Sequence, residues 1–155
     1  FGRLQRIEYL VGPMDETLQP VGATFNNGVE LVAAGVLDAP RAGEPLPVAL
    51  EWRTEPPVDE PLTVFAHVLC EGRLLAQRDA VPGNGQFPAP GWEPGEIVRD
   101  QFALQLPTDL PAGQCQVQVG IYNPDTGERY RPVDSGGQPY IVIGQFSVHG
   151  AGETL

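Results

Sequence analysis

The stretch Gln114-Cys115-Gln116-Val117-Gln118-Val119-Gly120-Ile121 alternates polar and apolar residues almost without interruption. Successive side chains of a β-strand point to opposite faces, so this period of two predicts a strand with its glutamines outward and its apolar residues inward. The same period recurs in residues 46–53 and 100–106. Richer apolar runs at residues 62–69 and 140–148 are typical of central strands. The pattern therefore predicts a protein built from strands.

Turn residues separate these runs. Glu71-Gly72 predicts a short hairpin turn, because glycine adopts positive φ without steric cost. The segment Asn123-Pro124-Asp125-Thr126-Gly127 predicts a hairpin with a bulge. The apolar spacing in residues 29–38 fits either a helix or a strand, and the glycine and proline in and around them favour a strand. Residues 14–18 are compatible with one helical turn.

Eight or nine strands at a spacing of about 10 residues predict an all-β fold, an immunoglobulin-like antiparallel β-sandwich. We expect a single sandwich domain over residues 1–155, of a size that supports one core. The start at Phe1, without an initiator Met, leads us to expect a segment excised from a longer chain. Residues 82–96 (PGNGQFPAPGWEPGE) have no period and predict a long surface loop that Trp92 anchors to the sandwich.

The charge of the chain argues against two classes of partner. The formal net charge is −11 and every basic residue is an arginine. An acidic surface repels phosphate, so we expect neither nucleic acid nor anionic lipid as a partner. No apolar run approaches the roughly 20 residues that span a bilayer, so this segment should not insert directly into a membrane.

Four segments together suggest a family. They are VFAHVL, which contains His67, then GRLLAQRD, GWEPGEIVRD and LPTDLPAGQCQVQVGIYNPDTGER. In this order they resemble the soluble β-sandwich domain at the C-terminal end of bacterial multi-spanning membrane glycosyltransferases similar to the protein mannosyltransferases. The resemblance covers roughly residues 29–148. It implies an extracytoplasmic accessory domain whose partner is the membrane-embedded part of its own chain, and it carries over no catalytic residue.

Cys70 and Cys115 are the two cysteines, and their spacing matches no zinc or redox motif. If the strands that carry them are antiparallel neighbours, as strands C and F are in immunoglobulin-like sheets, the two cysteines lie close together. Both also share the parity of core residues. A disulfide is one hypothesis and two buried free thiols are the other; an oxidising location favours the disulfide.

The chemistry-bearing residues predict no catalytic machinery. The two serines lie outside any nucleophile motif, and no spacing predicts a metal site or a cofactor. His67, in the middle of an apolar run, is most simply a packed residue; the sharper hypothesis is a site histidine beside Arg78 and Asp79. Asp100 shares the parity of core residues. It either caps a loop or marks the edge of the core, and we prefer the loop cap.

Exposed aromatic rings would support sugar binding, because the apolar C–H faces of sugars stack on them. Trp52 alternates with apolar residues and is predicted to lie in the core. The remaining aromatic candidates are Trp92, Tyr122, Tyr130 and Tyr140. Of these we select Trp92, Tyr122 and Tyr130 as candidate ligand-binding residues, together with His67 and Arg78. Tyr122 shares the parity of the outward glutamines and is expected on the surface beside Tyr130.

Two functions follow from these observations. The first is a non-catalytic extracytoplasmic accessory domain of a membrane glycosyltransferase, which supports the enzyme or contacts its acceptor. The alternative is a carbohydrate- or protein-binding sandwich module of a secreted or cell-surface protein.

Overall fold

The computed structural model describes residues 7–9, 18–83, 85–133 and 136–148. Within them lie nine strands and one 3-10 turn at Ala89–Gly91. The helical turn considered for residues 14–18 falls outside the described residues, except for Leu18. The strands are β1 (Ile7–Tyr9), β2 (Gln19–Thr24), β3 (Val29–Val36), β4 (Pro45–Thr54), β5 (Thr63–Cys70), β6 (Arg73–Ala80), β7 (Val98–Gln105), β8 (Gly113–Tyr122) and β9 (Ile141–Val148).

The strands form two antiparallel sheets that pack against each other. One has the order β1-β9-β8-β5-β6 and the other the order β2-β3-β4-β7. The β5–β6 and β8–β9 pairs stay within one sheet, whereas the connections from β4 to β5, β6 to β7 and β7 to β8 pass to the opposite sheet. This arrangement is that of immunoglobulin-like sandwiches. The predicted all-β antiparallel sandwich is therefore confirmed.

The core lies between the sheets and follows the period of two. In β7 every second residue is buried and the others are exposed. Trp52 is fully buried, as predicted, and its ring centroid lies 6.1 Å from that of Phe25. Burying a large apolar side chain contributes about 1.5–3 kcal/mol, so these inward rows are the main source of stability.

Asp100 lies within a strand of the core, so its expected parity with the core residues is confirmed. It is the third residue of β7, pairs in register with Leu50 and is fully buried. Strand parity fixes the face on which a side chain lies, whatever its polarity. A buried carboxyl group needs a partner within the protein, and Asp100 has such an interaction.

Cys70 and Cys115 lie directly opposite each other in the β5–β8 pair, so their predicted proximity is confirmed. Their Sγ atoms are bonded at 2.05 Å, their Cα atoms are 4.0 Å apart, and both residues are buried. The bond spans a sequence separation of 45 residues. It joins the two neighbouring strands at the centre of the five-stranded sheet.

The turn after Cys70 has the predicted form. Glu71 and Gly72 both have positive φ, 51° and 80°. Positive φ at both central residues defines the type I′ turn, which suits the twist of a two-residue hairpin. The second predicted hairpin closes through a hydrogen bond from Gly127 N to Asn123 O of 2.7 Å.

The described part of residues 82–96 contains no strand, in line with the predicted loop. Trp92 holds it against the sandwich. The Trp92 side chain is buried, and its Nε1 donates a hydrogen bond to Phe87 O at 2.9 Å.

Candidate functional site

The outer face of the five-stranded sheet carries a row of polar side chains. His67 on β5 lies opposite Gln77 on β6 and Gln118 on β8. Two residues further along, Gln116 lies between Leu69 on β5 and Gln145 on β9. The chain neighbours of His67, Gln116 and Gln118 are core residues, so alternation turns these three side chains away from the core.

An open groove of about 510 Å³ lies at the hairpin end of this face. Amides, one carboxylate and one aromatic ring line it, on a floor of two central strands joined by the disulfide. The lining residues are Leu69, Glu71, Gly72, Gln114, Gln116, Gln118 and Tyr140. A groove with these groups can form hydrogen bonds with a polar ligand and contact an apolar face through Tyr140.

Hydrogen bonds fix the orientation of the three glutamine amides. Gln118 Nε2 donates to Gln116 Oε1 at 2.6 Å, and Gln114 Nε2 donates to Ser147 Oγ at 2.8 Å. A long side chain that is already ordered loses less conformational entropy when a ligand binds. The floor of the groove is therefore organised before any ligand arrives.

Glu71 closes one end of the groove. Its Oε2 accepts a hydrogen bond from Gln114 N at 2.6 Å, while its own N donates to Gln114 O at 2.9 Å. The Glu71 side chain also lies so close to Gly113 that a Cβ atom there would fall 2.5 Å from Glu71 Cγ. Glu71, which follows β5 directly, is thus held in place by the start of β8.

An aromatic cluster lies beside the groove on the same face. Phe65 is the buried centre, with its ring centroid 4.9 Å from that of His67 and 6.2 Å from that of Tyr122. The Arg129 guanidinium covers the Phe65 ring at 4.9 Å. Gly120 permits this packing, because a Cβ there would lie 2.3 Å from Phe65 Cζ and 2.7 Å from Pro139 O.

Charges around the cluster perturb two titratable groups. Burial lowers the pKa of His67, Asp79 opposes that shift, and Arg129 adds to it. Tyr122 donates a hydrogen bond to Asp79 Oδ2 at 2.8 Å, and this bond raises the pKa of Tyr122. His67 and Tyr122 thus share one face, and Asp79 acts on both.

Arg78 does not lie beside His67. The hypothesis that placed both Arg78 and Asp79 beside His67 is therefore wrong for Arg78. Arg78 pairs in register with Ala66, a core residue, so it points to the inner side of the sheet. There its guanidinium lies 4.4 Å from the centroid of the Phe102 ring. Adjacent strand residues point in opposite directions, so only Asp79 is on the His67 side.

Trp92 and Tyr130 are buried and offer no exposed ring, which corrects their assignment as stacking residues. The exposed fractions are 8% for Trp92 and 6% for Tyr130. Tyr130 donates a hydrogen bond to Glu60 Oε1 at 2.5 Å, and burial together with that bond raises its pKa to about 12. Both rings anchor irregular segments to the sandwich.

Sequence reasoning identified Gln114, Gln116 and Gln118 only as outward residues of a strand. Three amides at successive outward positions form a continuous polar row, and that repetition was the available signal. Tyr140 was considered among the aromatic candidates but not selected, because its place in the groove depends on how the segment before β9 crosses the sheet. Of the five candidate ligand-binding residues, His67 and Tyr122 lie on this face.

Two further observations bear on chemistry and location. Within residues 7–9, 18–83, 85–133 and 136–148, no group of three or more His, Cys, Asp or Glu side chains could hold a metal ion. No helix in the described part of the chain is long and apolar enough to cross a membrane. Comparison with protein-family models gives no match, and comparison with curated proteins gives no significant match.

Proposed function

We propose that this chain is a non-catalytic accessory domain of a membrane glycosyltransferase, and that it contacts a glycan through the groove on its five-stranded sheet. The observation that carries the proposal is the prearranged row of Gln114, Gln116 and Gln118 beside Tyr140. Amides donate and accept hydrogen bonds, as sugar hydroxyl groups do, and an aromatic ring supplies apolar contact.

The disulfide supports an extracytoplasmic location. Disulfides persist in oxidising compartments and are rare in the cytosol. Cys70 and Cys115 are bonded beneath the groove, so the same bond that favours this location also braces the proposed site. The resemblance to glycosyltransferase-associated sandwiches points in the same direction.

A second candidate is a glycan-binding module of a secreted or cell-surface protein. The same groove favours it, because the groove belongs to the domain whatever the domain is attached to. The coding sequence upstream of Phe1 separates the two. Many apolar segments of about 20 residues would support the glycosyltransferase domain, and a lone signal peptide would support the secreted module.

Glycan binding is tested by screening the 155-residue chain on an array of oligosaccharides and measuring affinities for the hits by calorimetry. We expect Gln116→Ala and Gln118→Ala each to weaken binding about fivefold to tenfold, since one hydrogen bond contributes about 1 kcal/mol. Gln101→Ala is the matched control, because Gln101 is an exposed glutamine of β7 on the other sheet. Equal affinities for all three variants, or no hit on the array, would contradict the proposal.

A further inference from the structure

The hydrogen-bonding groups that line the groove favour a particular class of glycan. This inference rests on the proposed function, because it concerns the ligand of the same groove. The described hydrogen bonds use Gln114 Nε2, Gln116 Oε1 and Gln118 Nε2. The carbonyl oxygens of Gln114 and Gln118 take part in none of these bonds, and the NH2 groups of Gln114 and Gln118 each keep one further N–H donor.

The glutamine row therefore presents donors as well as acceptors, and two of the acceptors are carbonyl oxygens outside the described bonds. A hydroxyl group can donate to a carbonyl oxygen, whereas an ionised carboxylate or sulfate is an acceptor only. A neutral sugar satisfies both glutamine oxygens through its hydroxyl protons. An anionic sugar that placed its acid group there would leave acceptors facing acceptors, and an unmade polar contact is costly once water is displaced.

Glu71 adds a fixed negative charge to the same lining. Of the described residues that line the groove, Glu71 is the one with a charge. The hydrogen bond from Gln114 N and the close packing on Gly113 hold its carboxylate at the end of the groove. Arg73, which follows Gly72 in the hairpin, and Arg129, which lies over the Phe65 ring, are not among the lining residues.

We propose that the groove selects neutral, hydroxyl-rich oligosaccharides and rejects their uronic-acid counterparts, and that the carboxylate of Glu71 is the principal specificity-determining group. The net charge of −11 acts in the same direction at longer range, since it repels anionic polymers before contact. The local and the overall charge can be separated by experiment.

The test uses an array in which each neutral oligosaccharide is paired with the counterpart oxidised to a uronic acid. We expect the chain to bind neutral members and to bind their acidic counterparts at least about tenfold more weakly, as like charges close together at a protein surface repel. Glu71→Gln should reduce the ratio of the affinity for neutral members to the affinity for acidic members severalfold. It keeps a carbonyl oxygen that accepts the hydrogen bond from Gln114 N.

Glu93→Gln is the control for overall charge, because it makes the same change in net charge at an exposed loop position. Glu71→Asn is a second variant that removes the charge, and Asn followed by glycine suits a type I′ turn. Both Glu71 variants should reduce the ratio of neutral to acidic affinity, and Glu93→Gln should leave that ratio unchanged.

The outcomes separate this inference from the proposed function. Equal or tighter binding of acidic members by the unmodified chain would overturn the inference and leave glycan binding established. If Glu93→Gln reduced the ratio of neutral to acidic affinity as much as Glu71→Gln does, the role of Glu71 would be overturned. Binding of no member would contradict the proposed function, and the inference would fail with it.

Discussion

Glu71 and Gln114 are joined by two hydrogen bonds, one from Glu71 N to Gln114 O at 2.9 Å and one from Gln114 N to Glu71 Oε2 at 2.6 Å. The pair lies next to the disulfide between Cys70 and Cys115. Both residues also line the groove. The covalent bond, the tight turn and the end of the proposed binding site therefore form one structural unit.

The disulfide should make a large contribution to stability. Closing a loop with a sequence separation of 45 residues corresponds to about 4 kcal/mol of unfolded-state entropy. We expect the double variant Cys70→Ala, Cys115→Ala to lose about 2–5 kcal/mol of unfolding free energy in urea denaturation. A reductant should destabilise the unmodified chain and leave the variant unaffected. Two free thiols in the unfolded, unreduced chain would refute the bond itself.

Gly120→Ala should destabilise the fold by about 1–3 kcal/mol, the usual cost of overpacking. The added Cβ would meet the Phe65 ring and the carbonyl oxygen of Pro139, and neither is the free end of a flexible side chain. Gly91→Ala is the matched control, because a Cβ there meets no atom within 4 Å. Equal denaturation midpoints for the two variants would show that Phe65 and Pro139 do not crowd Gly120.

Trp92 and Phe87 belong to the same loop and should differ sharply in their contribution to stability. Trp92 is 8% exposed and Phe87 is 56% exposed. Trp92→Ala should lower the unfolding free energy by about 3 kcal/mol, since it removes a large buried ring. Phe87→Ala should change it by less than about 1 kcal/mol. The reverse order in thermal or chemical denaturation would mean that the loop is anchored differently.

His67 should make stability depend on pH below about 6.5. Burial lowers the pKa of His67 in the folded protein. As the pH falls through about 6.5, the unfolded chain takes up a proton that the folded chain does not, so the free energy of unfolding falls. Above that pH the contribution is constant.

Urea denaturation between pH 5 and 8, on the unmodified chain and on His67→Gln, measures this component as the difference between the two curves. As the pH falls toward 5, we expect the unfolding free energy of the unmodified chain to fall more than that of His67→Gln. Parallel curves would show that the imidazole is as accessible to protons in the folded state as in the unfolded one.

Alternation along the chain was sufficient to predict the strands and the faces of most residues. The glutamine-rich strand β8 is the clearest case, since its apolar residues Val117 and Val119 are fully buried. Parity together with strand adjacency also placed Cys70 opposite Cys115. These predictions succeed because the alternation of side chains is set within each strand, and the sheet preserves it.

The errors arise where tertiary packing overrides local pattern. Tyr130 follows a hairpin without regular alternation; its ring is buried, and its hydroxyl donates a hydrogen bond to Glu60, which is distant in sequence. Arg78 lies on an edge strand, where a charged side chain can point inward and still reach Phe102 across the sandwich. The groove itself depends on which strands become neighbours, so no single stretch of sequence predicts it.

The most direct test of the glycan-binding groove is a two-dimensional ¹⁵N NMR titration of the chain with the best-binding neutral oligosaccharide from the array. Side-chain amide signals of Gln114, Gln116 and Gln118 should shift together with the backbone signals of Glu71 and Tyr140. The signal of Gln101 on the opposite sheet should not move. Shifts confined to residues 82–96 or to the four-stranded sheet would contradict the site.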